Sequence, residues 1–149
     1  MVSLRKYKPL HLVAADGDDI NSMSSCLQDA VMKIGDFAYL PEQRRFACVA
    51  NRFVWEVSVK RKGGPFARVR SGLYFDDVLT VKQQNIRPDA SEAIVSLLAI
   101  RHEAGEASDF ITLEFSGGGI IRMEVEAINA HLDDISEPWQ TKNRPEHKV

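Results

Sequence analysis

The sequence predicts an α+β fold built mainly of antiparallel β-structure, and three observations carry that reading. Apolar and polar residues alternate with a period of two through most of the chain after residue 33. Turn-forming residues punctuate the alternation at Pro41 to Arg44, Gly63-Gly64-Pro65, Asp76-Asp77 and Gly117 to Gly119. Helical spacing occurs only before this β run and again near the C-terminus.

The elements follow in order. Residues 1 to 9 are polar and read as extended, and Leu10 to Ala15 reads as a strand. In "DGDDINSMSSCLQDAV", Ile20, Met23, Leu27, Ala30 and Val31 recur on one helical face. Asp18 and Asp19 suit the positive end of that helix, and Asp16 or Asp18 caps it. A calcium loop needs further oxygen ligands and a late glutamate that this stretch lacks. "IGDFAYL" and "RRFACVANRF" flank a four-residue hairpin loop, Pro41 to Arg44. Pairing Leu40 with Arg45 sets Tyr39 opposite Phe46 and Phe37 opposite Cys48, all on one face. "VWEVSV" continues the alternation, and "KRKGGP" is a solvated turn. "ARVRSGLYF" and "VLTVKQ" are strands joined near Asp76-Asp77, "NIRPDASE" is a loop, and the apolar "AIVSLLAI" reads as a central strand.

The three glycines Gly117 to Gly119 are the most motif-like feature. With Ser116 paired to Ile120, Leu113 faces Met123 and Glu114 lies opposite Arg122. Glycine supplies the positive φ such a loop uses. A phosphate-binding loop would lead from a strand into a helix, whereas the next residues alternate as a strand. There is also no Gly-Lys-Ser/Thr and no dinucleotide fingerprint, so the glycines read as a hairpin turn. In "EAINAHLDDI", Ile128, Leu132 and Ile135 form a helical stripe, which predicts a short closing helix.

The chain has 149 residues, a length that suits one domain, 1–149, with a mobile tail from about 140 and Trp139 pinned against the body. Hydrophobic content of 44%, charged content of 27% and a net charge of −2 are ordinary for a soluble globular protein. No apolar run approaches the ~20 residues needed to cross a bilayer, so no membrane insertion is expected. The N-terminus lacks a secretory pattern, and the expected location is cytoplasmic. Cys26 and Cys48 form no pair motif and read as small interior residues.

No catalytic, cofactor-binding or metal-binding residue emerges. His11, His102, His131 and His147 stand apart from any ligand spacing, and His102 reads as an exposed strand end. No Gly-x-Ser-x-Gly elbow occurs, and the adjacent acid pairs point different ways on a strand or helix. The functional signal is charge asymmetry. From Arg44 to Arg70 there are eight basic residues against Glu56 alone, a balance of +7 in a chain of −2. Arg44, Arg45, Arg52, Arg68 and Arg70 are the candidate partner-binding residues, for an acidic protein or nucleic acid. The alternative is a set of solvent-side residues on antiparallel strands, where cations discourage edge-to-edge association.

Three stretches, "LQDAVMKIGDFAYLPEQRRFACVANRFVWE", "SLLAIRHEAGEASDFITLEFSGGGIIRMEVE" and "LDDISEPW", resemble a family of small bacterial proteins of unknown function, best known from alphaproteobacteria. The likeness runs over most of the chain and implies no activity, cofactor or partner. Seven strands from residue 33 and a closing helix look like a pleckstrin-homology-like barrel, preceded by an extra strand and helix. Ile128, Leu132 and Ile135 would plug one end. A rival reading is two related α+β halves, each a helix with a three-strand meander. Two functions follow: a non-catalytic binding or adaptor module with a basic surface, or a small-ligand sensor or enzyme whose site is built from scattered residues.

Overall fold

In the computed structural model, residues 7–55 and 66–141 are described. They form β1 (His11–Ala14), α1 (Gly17–Cys26), β2 (Val31–Lys33), β3 (Ala38–Leu40), β4 (Arg45–Phe53) and β5 (Phe66–Phe75). These are followed by β6 (Val78–Gln84), β7 (Ile94–Glu103), β8 (Asp109–Phe115), β9 (Ile120–Val125), β10 (Ala130–Asp134) and β11 (Trp139–Thr141). The fold is therefore α+β and mainly antiparallel. The sheet path is β1-β10-β5-β4-β2-β7-β8-β9-β6, with β3 beside β4 and β11 beside β5.

Helix α1 begins as its sequence dictates. The Asp16 carboxylate accepts from the Asp19 amide at 2.8 Å, and the Asp19 carboxylate accepts from the Ala15 amide at 2.9 Å. The cap satisfies one orphan donor of the helix start, and the return bond holds the amide just ahead of the cap. Ile20, Met23 and Leu27 are buried, but the helix is shorter than the apolar spacing predicts: it ends at Cys26 with Leu27 as its C-cap, and Val31 opens β2. The helix is tied to β7 where the Ile100 amide donates to Ser24 Oγ at 2.9 Å.

The barrel expectation is corrected. The sheet is open, with β1 and β6 at its two ends. β5 and β6 are consecutive but do not pair: β5 lies between β10 and β4, and β6 pairs β9. The chain crosses from one part of the sheet to the other at Asp76-Asp77, where Asp77 has φ 59°. Backbone hydrogen bonds fasten the crossing, from Asp76 to Asn129, Val78 to Arg44 and Glu126 to Asp77. β6 also approaches β3, since the Tyr39 hydroxyl donates to the Leu79 carbonyl at 3.4 Å. No ladder joins β3 and β6 among the described residues.

The closing helix is also corrected. Ala130–Asp134 is a strand, β10, inserted between β1 and β5. Leu132 is buried, but it faces the core from a sheet; Ile128 is half-buried and Ile135 is exposed. There is no plug. "AIVSLLAI", apart from Ala93, lies in the interior strand β7, between β2 and β8, as its apolar character predicts. "IGDFAYL" is not one strand: a 3-10 turn at Ile34–Asp36 separates β2 from β3. The register Leu40–Arg45 and Tyr39–Phe46 is as expected, but Tyr39 is 36% exposed. Phe37 lies beyond the paired residues, with its ring against Phe46 and Phe115. Most of "VWEVSV" and all of "KRKGGP" lie outside the described residues.

The glycines do connect β8 and β9, with positive φ at Gly117 and Gly118. The register differs by two residues from the expected one. Leu113 pairs Ile121, Ile111 pairs Met123, and Glu114 pairs Ile120 rather than Arg122. A slip of two preserves the face of every side chain, so Leu113, Phe115, Met123 and Val125 are buried all the same. Only the ion pairing changes: Glu114 meets Arg101, and Arg122 meets Glu103.

Residues from both parts of the sheet join one apolar cluster with α1, including Phe46, Leu73, Leu97, Leu113, Met123 and Leu132. Leu113 is fully buried there. Leu113→Ala should therefore lower stability by about 2–5 kcal/mol, read from the urea midpoint. A loss within ~0.5 kcal/mol, the surface range, would contradict this packing.

Candidate functional site

The candidate cations do not converge. Arg44 and Arg45 stand at the β3–β4 hairpin, and each has a carboxylate. Arg44 pairs with Glu126, and Arg45 with Asp76 at 2.7 Å. Arg45 also lies over Tyr74, whose ring stacks on His131. Both guanidinium pKa values are raised, chiefly by these side-chain hydrogen bonds. Lys60, Arg61 and Lys62 lie outside the described residues.

Arg52 is on the other side of the sheet. Phe46, Cys48, Ala50 and Arg52 alternate on the core face of β4, and Arg52 is 1% exposed. Its guanidinium grips Asp134 of β10 with Nε to Oδ1 and Nη2 to Oδ2, each 2.8 Å. Ser71 on β5, between the two strands, donates to Oδ1 at 2.7 Å. The Tyr7 hydroxyl and the Leu10 amide donate to Oδ2 at 2.6 and 2.8 Å. Burial alone pushes the Asp134 carboxyl up; the donors from Arg52, Tyr7, Leu10 and Ser71 outweigh it and hold the pKa at about 2.

The sign of that shift sets a pH dependence. The folded value lies below the ordinary ~3.9. The stability it supplies is complete above the ordinary value and is lost as pH falls from roughly 4 towards 2. Removing one partner of a buried pair costs about 3–5 kcal/mol, so Asp134→Ala should destabilise by that amount at pH 6. Urea unfolding at pH 6 and pH 2.5 checks both statements. Wild type should lose on the order of 2 kcal/mol more than the variant on acidification.

Arg68 and Arg70 share the outer face of β5. They pair with Phe53 and Asn51 of β4. Trp139 of β11 lies opposite Arg68 and is 40% exposed. Ile135 is exposed beside them: its amide donates to the Arg70 carbonyl, and its side chain covers Gly72. Arg68 is half-buried, near the Phe53 ring, and donates to the Asn51 carbonyl at 2.9 Å. Desolvation lowers its pKa, and Asp29 partly offsets this. Arg70 is exposed.

Other titratable groups are paired more locally. His102 is 21% exposed rather than a free strand end; its Nε2 lies 2.9 Å from Asp109 Oδ2. That hydrogen bond, helped by the Gly105 amide, lowers the Asp109 pKa. His102 also packs on Gly17, where a Cβ would come within 2.8 Å of Nδ1. Burial pushes the Cys48 thiol up to about 12, which leaves it unreactive, and Cys26 is half-buried. Among the described residues no group of three His, Cys, Asp or Glu side chains is placed to hold a metal ion. No helix among them is long and apolar enough to cross a membrane.

The described residues also form shallow open depressions. One of about 260 Å³ lies where β6 approaches the β2–β3 turn, lined by Ile34, Gly35, Phe37, Gln83, Ile86, Pro88 and Ser91. Two others adjoin on the outer side of β6, β8 and β9 and share Lys82 and Arg122. From the sequence, Arg122 emerges only as an expected partner of Glu114, and Lys82 not at all, because each sits alone in its strand and only the pairing brings them together.

No curated protein and no solved structure matches the chain. The family described as "Protein of unknown function (DUF2948)" matches residues 10–147. That match spans nearly the whole chain, including the one helix and the eleven strands of the described residues, and the protein belongs to this family.

Proposed function

We propose that the protein is a non-catalytic binding module whose outer β4–β5 face holds an acidic segment of another protein. The observation that carries this reading is the environment of Arg68. It is a half-buried cation whose hydrogen bond goes to a backbone carbonyl, not to a carboxylate. Part of its desolvation cost is met in the fold, so an incoming carboxylate meets a strengthened charge. Arg70 extends the positive face, and exposed Trp139 and Ile135 supply apolar area beside it. Arginine and tryptophan are the side chains that most often anchor protein interfaces. The other three candidates play different parts: Arg44 and Arg45 are matched by acids, and Arg52 holds the core. Apolar neighbours favour a protein partner over nucleic acid, which would call for a longer basic track.

A panel of labelled Asp/Glu-rich peptides carrying aromatic or aliphatic residues tests this. Wild type should retain a subset, with affinity falling as salt rises. Arg68→Glu with Arg70→Glu should weaken binding at least tenfold, and Trp139→Ala several-fold. The charge-matched control Lys33→Glu with Arg87→Glu should change it less than twofold. Equal loss in both double variants, or no retention by wild type, would sink the proposal. Preferential capture of single-stranded RNA would transfer the face to nucleic acid.

A further inference from the structure

Lys82 of β6 lies directly opposite Arg122 of β9, and Thr112 of β8 lies opposite Arg122 on its other side. Facing residues of antiparallel strands share one side of the sheet, with Cβ atoms about 4.5–5.5 Å apart. Two cations in that arrangement repel and lower stability. The fold offsets this only weakly. Arg122 reaches Glu103 at 3.4 Å between two exposed side chains, and among the described residues Lys82 has no salt-bridge partner. What holds Arg122 is Phe110, whose ring centroid lies 4.3 Å from the guanidinium carbon. That contact orients the guanidinium and leaves its donors available.

The two cations border both depressions. The larger, about 490 Å³, is lined by Lys82, Gln83, Gln84, Thr112, Ile120 and Arg122, with no acid among them. The smaller, about 290 Å³, adds Thr80, Phe110 and Glu124. The Glu124 carboxylate is engaged by the Ser108 hydroxyl at 2.6 Å. The larger depression thus gathers an ammonium, a guanidinium, a hydroxyl and the Gln84 amide on one face of the sheet, while Gln83 alternates to the other. We propose that it binds a phosphate monoester of a small molecule. A phosphate dianion matches the two positive charges, and guanidinium, ammonium and hydroxyl donors suit its oxygens. Ile120 gives an apolar wall for the body of the ligand. The anion would also relieve the Lys82–Arg122 repulsion. Arg68, Arg70 and Trp139 take no part, so this site stands or falls independently of the β4–β5 face.

Inorganic phosphate is the first probe, titrated at pH 7.5 against chloride of matched ionic strength. Amide resonances of Lys82, Thr112 and Arg122 should shift saturably, with a millimolar dissociation constant. Glycerol phosphate should bind at least as tightly. Lys82→Gln with Arg122→Gln should weaken binding tenfold or more while the remaining spectrum keeps its dispersion. Phosphate should raise the thermal midpoint of wild type and not of the variant. A second check needs no ligand: Lys82→Gln alone should leave or raise the midpoint, because it removes the repulsion. Vesicles of phosphatidylcholine with phosphatidic acid separate the sources. Retention lost in the double variant assigns the phosphate to a lipid headgroup, and no retention assigns it to a soluble metabolite. Unsaturable shifts, equal affinity in the double variant, or an identical response to chloride would overturn the proposal.

Discussion

The buried ion pair between Arg52 and Asp134 is the constraint on which the architecture depends. Two charges have been taken out of water, which is costly unless every lone pair and proton finds a partner. Here the carboxylate is met by a two-pronged guanidinium, two hydroxyls and a backbone amide. Those donors come from β4, from β5 and from the segment before β1. The pair therefore fixes the order β10-β5-β4 and ties down the chain entering β1. A hydrophobic substitute could fill the same space without specifying which strands must lie there. The polar core selects one pairing among several that the apolar pattern alone would allow.

That pair also explains where the sequence was and was not legible. Helix α1, the interior strand β7 and the glycine hairpin all carried strong local signals: an aspartate cap, a run apolar except for Ser96 and residues suited to positive φ. Strand β10 did not. Its core-facing positions are Ala130, Leu132 and Asp134, so the alternation ends on a charge and looks broken. A helical stripe through Ile128, Leu132 and Ile135 then fits better than it should. Arg52 misleads in the same way, since a cation in a basic run reads as solvent-facing. The alternation was nonetheless in view: Phe46 and Cys48 share a face, and two further steps reach Arg52. A carboxylate at a matching position in another strand was the missing half, and one sequence does not say which strand neighbours which.

Long-range pairing accounts for the remaining differences. β5 and β6 run end to end through Asp76-Asp77 but belong to different parts of the sheet, which no local pattern reveals. The β8–β9 register differs by two from the expected one, and Glu114 and Arg122 find their partners, Arg101 and Glu103, on β7 instead. The candidate binding residues scatter for the same reason. Arg68 and Arg70 stay together because they are two apart on one strand. Lys82 and Arg122 meet only because β6 returns beside β9.

Asp134 also has a bearing on biosynthesis. It is 82 residues beyond Arg52 and 127 beyond Tyr7. A ribosome adding about 5–20 residues per second takes on the order of 4–16 seconds to deliver it after Arg52 has been made. Through that interval Arg52 has no Asp134 to pair with, and β1 and β5 lack the strand that comes to lie between them. A nascent chain in this condition lacks the carboxylate that joins β4, β5 and the segment before β1 in the finished fold. The acid that completes the core arrives only after β1 through β9 have been synthesised, so the last part of the message licenses the fold of the first.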